Sequence, residues 1–176
     1  MSKFTLISAM LLGLSAFAFA SNPQSPAAET KVTINGKTIA IKYSAPSVRG
    51  RKIFGPGGLV SKDPTYPVWR TGADSATALH TDADLMIGSL SVPAGDYTVF
   101  TQVDKMRWEL IINKQTKQWG LSYNKAMDLG RVEMTTNTAP SLTEQLKITL
   151  SDAGGGKGKL EIAWENIVAS VTFTAK

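Results

Sequence analysis

Arg49 and Arg51 stand on either side of Gly50, and further along Trp69-Arg70-Thr71 places an indole, a third guanidinium and a hydroxyl in succession. A guanidinium is a planar fork of donors that matches a carboxylate or phosphate edge to edge. An indole offers a flat apolar face on which a ring can lie. Glycine between two forks permits backbone angles that bring both round to one point. Arg49, Arg51, Trp69, Arg70 and Thr71 are therefore the candidate ligand-binding residues, and the ligand they suit is small and anionic, or a saccharide. The same residues admit a plainer use. Trp69 would then sit in the core, Arg70 would pair with a carboxylate, and the glycine-rich chain around them would only cross the end of the fold.

Other constellations carry less. His80-Thr81-Asp82-Ala83-Asp84 sets an imidazole and two carboxylates at alternate positions, on one side of an extended chain. Such donors suit a divalent cation, but three ligands without a fourth make a poor site, so no metal and no cofactor is assigned. Gly154 to Lys159 superficially resembles a phosphate-cradling loop, yet lacks the Ser or Thr that must follow the lysine. With one His and no Cys, any nucleophilic triad would have to use His80, and no G-x-S-x-G elbow is present. Asp74, Asp96, Glu109 and Glu133 are carboxylates available for glycoside-type chemistry, which depends on a pairing that only a fold can set.

Three functions follow, from different classes. The residues favour a non-catalytic binding module of the cell envelope that grips a small anionic or saccharide ligand at the arginine and tryptophan cluster. A metal- or carboxylate-dependent hydrolase is the alternative, and a structural or interaction protein, with the same motif locking a long loop, is the third. Catalytic residues and oligomeric state are left open.

The elements that must position these residues read as strands almost throughout. Met1 to Phe4 carries one positive charge ahead of an apolar run that closes at Ala18-Phe19-Ala20. That is the pattern of a secretory signal cut after Ala20, too short for a membrane span. It predicts an exported, periplasmic or extracellular protein with a flexible leader over residues 21–30 and one domain over 31–176. The absence of cysteine leaves stability to the apolar core. Nineteen basic residues stand against 14 acidic ones, a net charge of +5, but they are scattered, and no nucleic-acid stripe forms.

From Lys31 onward apolar residues alternate with polar ones. Asn35-Gly36 predicts a two-residue hairpin turn pairing Val32 with Ile39, and Gly88-Ser89 another pairing Ile87 with Leu90. Residues 131–136 and 146–150 read as two further strands, 151–159 as a flexible loop, and Glu165-Asn166 as the turn of a final hairpin. Lys114 to Gly120 is the one segment able to hold a helical turn. Trp108 and Trp164 fall in phase with their apolar neighbours and are expected in the core. Nine or ten short strands at regular spacing predict an all-β fold, a two-layer antiparallel sandwich of jelly-roll type, with a closed barrel as the alternative.

The stretches SAPSVRGRKIFG, VWRTGADSAT, PAGDYTVF, IINKQTKQWG and LEIAWEN, in that order, resemble the bacterial exported family known as domain of unknown function 2911. The resemblance runs from about Tyr43 to the C-terminus. It touches Ser47, Arg49, Gly50, Arg51, Trp69, Arg70, Thr71, Gly72, Thr77, Gly95 and Tyr97, and departs at Pro56 to Pro67, a longer link than usual between two of the motifs. It implies export and a β fold and brings no activity with it.

Overall fold

The computed structural model describes residues 25–104 and 107–176; the cleavage after Ala20 and the first part of the expected leader lie outside them, whereas Ala27 to Thr30, expected as flexible leader, already stand in the first strand, paired with residues 41–44. Among the described residues ten strands form, joined by turns the local chemistry demands. β1 (Ala27–Ile34) and β2 (Lys37–Ser44) reverse at Asn35-Gly36, both left-handed (φ 51° and 75°), which puts Val32 opposite Ile39. β3 (Val68–Trp69), β4 (Thr77–Thr81), β5 (Leu85–Ile87) and β6 (Leu90–Val92) follow, with Ile87 opposite Leu90 across Gly88-Ser89. β7 (Gly95–Val103) and β8 (Trp108–Asn113) are the apolar centre. The two stretches expected as separate strands are one long β9 (Asp128–Gly154), paired with an equally continuous β10 (Lys157–Ala175).

Two turn assignments change accordingly. The reversal between β9 and β10 is confined to Gly155-Gly156, both left-handed at φ 61° and 77°, and the flanking residues stay in strand rather than forming a loop over 151–159. Glu165-Asn166 does not end a hairpin. Both halves of β10 pair with β9, Leu160 opposite Leu150 and Ile167 opposite Thr138, with the register slipping around Glu165. The physical difference is the number of left-handed residues. Three in succession, Gly154 (φ 81°) with the two turn residues, reverse the chain, whereas Glu165 alone (φ 55°) only bulges it.

Lys114 to Gly120, the segment able to hold a helical turn, forms none. Single 3-10 turns stand instead at Val60–Lys62 and Lys125–Met127. Residues 118–120 lie extended because the backbone of Asp74 to Ala76 offers them partners: Ala76 N–H donates to Gln118 O and Gly120 N–H to Asp74 O. No helix among the described residues is long and apolar enough to cross a membrane.

The strands make one antiparallel sheet in the order β1-β2-β4-β7-β8-β9-β10-β5-β6, with β3 also on β7. β9 carries the chain from one layer to the other: Asp128 to Met134 register against β8, and the remainder against β10. The sheet thus folds over on itself, and Ile39, Ile41, Leu79 and Leu110 of one layer meet Ile87, Leu160, Ile162 and Phe173 of the other in a shared core. It does not close into a barrel. Where β9 passes the β1–β2 edge, its free N–H groups at Ile148 and Leu150 donate to the Tyr43 and Thr30 hydroxyls, each at 3.0 Å, and Leu146 N–H to Pro46 O. Side-chain hydroxyls stand in for a ladder, so the buried donors are satisfied without a continuous strand pair.

Candidate functional site

The arginine and tryptophan segment is built as structure. Arg49 and Gly50 are both left-handed (φ 50° and 66°), and Arg51 N–H closes the turn onto Val48 O at 3.0 Å. Gly50 is there because the second central position of such a turn favours glycine. The Arg51 fork then doubles back, Nε donating to Val48 O at 3.0 Å and Nη2 to Ser47 O at 2.6 Å. Arg49 is exposed and its backbone N–H donates to Glu144 on β9. Arg70 donates to Asp63 at 3.4 Å and packs on Gly120, where a Cβ would overlap the Arg70 side chain and stand 2.6 Å from Asp74 O.

Trp69 and Thr71 are interior, at 1 % and 0 % exposure. The Thr71 hydroxyl shares a 2.8 Å hydrogen bond with that of Thr101 on β7, and its carbonyl accepts from the Thr77 hydroxyl. Trp69 stacks on Trp164 at 5.7 Å, with Phe54 edge-on to both and to Trp108. Trp108 and Trp164 are core residues, as their phase requires. None of Arg49, Arg51, Trp69, Arg70 and Thr71 lines either of two large clefts among the described residues.

The larger cleft, of about 830 Å³, lies on the outer face of β2, β4 and β7. Strand register sets Ala40 opposite His80 and His80 opposite Asp96, with Lys42 opposite Ala78 one step along. The two alanines leave a trough between longer neighbours. The far wall is Thr116 to Gln118, delivered across the sheet by the long β8–β9 connection.

That wall is anchored at both ends. Gln118 is tied to Ala76, as described, and Asn113 on β8 holds Gln115 N–H through its Oδ1 while its Nδ2 donates to Asn124 O and Asp128. Tyr123 packs its ring on Phe100 at 4.9 Å, donates to Asp128, and accepts from Arg131, which also reaches Gln102. Burial, with the Asp128 carboxylate next to it, pushes Tyr123 up to about 12, so it remains a neutral phenol at any ordinary pH.

The charged groups lining the cleft are Lys42, Lys117, His80 and Asp96. The Lys42 and Lys117 ammonium groups make no ion pair with any described residue. Gln118 accepts from the Thr98 hydroxyl through Oε1, while its Nε2 is buried with no partner among the described residues. His80, half exposed, is flanked by Asp96 on Nδ1 (2.7 Å) and Asp82 on Nε2 (3.1 Å). The bond to Asp96, and then that to Asp82, holds its pKa above 6.5. Asp82 in turn is held low by His80 and by the Thr38 N–H. Asp84 lies apart from this pair, accepting from Ala94 N–H, and among the described residues no three His, Asp or Glu side chains are gathered so as to hold a metal ion.

Reading the sequence alone did not single out Lys42, Lys117 or Gln118. Lys42 does carry a signal, since it falls on the outward phase of β2. Nothing in the spacing of the chain says that Lys117 will be laid opposite it.

Fold and clefts together define an antiparallel β-sandwich domain with polar concavities on its surface. The family model described as Protein of unknown function (DUF2911) matches residues 25–173, and the chain belongs to that family. No curated protein and no solved structure matches it.

Proposed function

We propose that this protein is an exported envelope module that binds a small anionic ligand in the cleft between β2, β4, β7 and Thr116 to Gln118. The observation that carries this reading is the convergence of Lys42, Lys117 and the orphaned Gln118 amide on one cavity. A buried donor without an acceptor is destabilising, and a ligand oxygen at that point removes the penalty. Two unpaired ammonium groups attract a carboxylate or phosphate and set the sign of the ligand. Binding is favoured over hydrolysis because both His80 nitrogens are occupied by carboxylates, which leaves neither free to act as a base. In this reading Arg51 and Arg70 lock the long connection between β2 and β3 and do not grip the ligand, and export rests on the pattern of residues 1–20.

The test is calorimetric titration with phosphate, citrate, a uronic acid and a dicarboxylic amino acid at low and high salt. At least one should bind, more weakly as salt rises, and Lys42→Ala with Lys117→Ala should abolish the heat while Arg51→Ala leaves the affinity unchanged. Binding that survives the double lysine change, or the failure of every anion, would overturn it.

A further inference from the structure

The second cleft, of about 510 Å³, opens over the aromatic cluster where both long strands leave their ladder. Glu165 pairs with Thr143, and Ile167 with Thr138, so residues 139–142 of β9 stand out opposite Asn166 alone. A bulge turns side chains off the regular in-and-out alternation. Here it brings Glu165, Asn166 and, from the other strand, Asn137 to the same opening.

The chemistry of this opening differs from that of the basic cleft. The side-chain amides of Asn137 and Asn166 are exposed and make no hydrogen bond with any described residue. Glu165 uses Oε1 to accept from Ile53 N–H, so the carboxylate is fixed in place. An amide offers a donor and an acceptor side by side, the arrangement that two neighbouring sugar hydroxyls satisfy together. Flat surface is present as well: Tyr66 stands 41 % exposed on one wall, and Trp108 and Phe54 form the floor. The charged lining is Asp104, Glu165 and Arg107, and Arg107 also faces Glu133 at 3.5 Å. An excess of carboxylate repels an anion, so the ligand that fits is uncharged.

We infer that this cleft is a second binding site, independent of the basic one, for a neutral oligosaccharide whose ring faces stack on Tyr66 and whose hydroxyls pair with Asn137, Asn166 and Glu165. Apolar C–H faces of a sugar cover aromatic rings, while its rim of hydroxyls meets the amides; few other small ligands present both in alternation.

Neutral hexasaccharides of glucose, xylose and N-acetylglucosamine serve as probes. They are titrated against the full chain carrying Trp119→Phe, which removes the one exposed indole, with intrinsic fluorescence and amide chemical shifts as readouts. One probe should give saturable changes near Tyr66 and Asn166, and Tyr66→Ala and Asn166→Ala should each weaken it about fivefold or more. Asn137→Ala should do the same, and since its side chain is exposed it separates lost contact from lost fold. Lys42→Ala and Lys117→Ala should leave the affinity unchanged. The inference is overturned if no probe shifts any resonance at millimolar concentration, or if binding is indifferent to all three cleft variants.

Discussion

The two clefts lie toward opposite ends of β7, the basic one at Asp96 and Tyr97 and the aromatic one at Val103, roughly 20–25 Å apart at the ordinary rise of a strand. They are concave for opposite reasons. The basic cleft sits on an unbroken ladder, where a flat sheet face becomes a trough only because Ala40 and Ala78 are small and a separate segment is laid alongside. The aromatic cleft exists because the ladder breaks. Its concavity comes from the bulge at Glu165, a residue with a Cβ held at φ 55°, a conformation that costs on the order of 1–3 kcal/mol. The packed indoles of Trp69 and Trp164 below it offset that strain. One cleft therefore depends on an added roof and the other on the core itself.

The sharpest way to break the comparison is Trp164→Ala. This side chain is 2 % exposed, stacks on Trp69 and packs against Phe54, so its loss should cost about 3–5 kcal/mol in urea melts and unseat the Phe54 ring in the cleft floor. Oligosaccharide binding should go with it, while the anion site persists in the molecules still folded. A loss below about 0.5 kcal/mol, as for a surface residue, would show that the aromatic cluster supports nothing.

Next in size is Arg131→Ala, which strips the Asp128 carboxylate and the Tyr123 hydroxyl of their shared donor. With both acceptors partly buried, about 1–3 kcal/mol should be lost. Because this network anchors the roof, anion affinity should fall and oligosaccharide affinity should not. Equal damage to both would mean the clefts are coupled.

Lys117→Ala should be close to silent in melting, within about 0.5 kcal/mol, yet weaken the anion about tenfold. A melt displaced as far as that of Arg131→Ala would make Lys117 a structural residue.

The smallest effect is that of pH. His80 has its folded pKa raised above 6.5 by Asp96 and Asp82, so its pairing contributes fully below 6.5 and is lost as pH rises through the raised value. Thermal stability should decline slightly over that interval above 6.5, and His80→Asn should remove the decline. Anion binding should weaken over the same interval, as a positive charge leaves the cleft wall. Asp82, whose pKa is depressed by His80 and Thr38, contributes above its ordinary 3.8 and loses that contribution only as pH falls through its lowered value. An imidazole midpoint at or below 6.5 by nuclear magnetic resonance would contradict the pairing.

Some of this was legible before any fold was known, because some of it is local. A strand's two faces follow from the alternation of its own residues, so Trp108, Trp164, Ile39 and Ile41 could be assigned inward one segment at a time. The turns at Asn35-Gly36 and Gly88-Ser89 follow from the conformations those residues tolerate, and with each turn comes the register of its hairpin. The arginines around Gly50 were legible as a special backbone position and misleading as a meeting point. The same left-handed pair that would gather two forks on a ligand also makes an ordinary tight turn, whose carbonyls take up the Arg51 fork.

What the sequence by itself determined is therefore the all-β character, the inward face of the strands that alternate cleanly and the two short hairpins, since each depends on residues a few positions apart. Tertiary structure alone decided that 128–154 is one strand, that Glu165 bulges where a turn was expected, and that the sheet folds over without closing. Only the docking of distant segments decided these, because β9 is long enough to pair with both halves of β10 and alternation is indifferent to which partner it meets. The same holds for the clefts. Lys42 and Lys117 come to line one cleft, and Phe54 reaches Trp164, across chain separations whose closure is entropically costly and is repaid only by the assembled core.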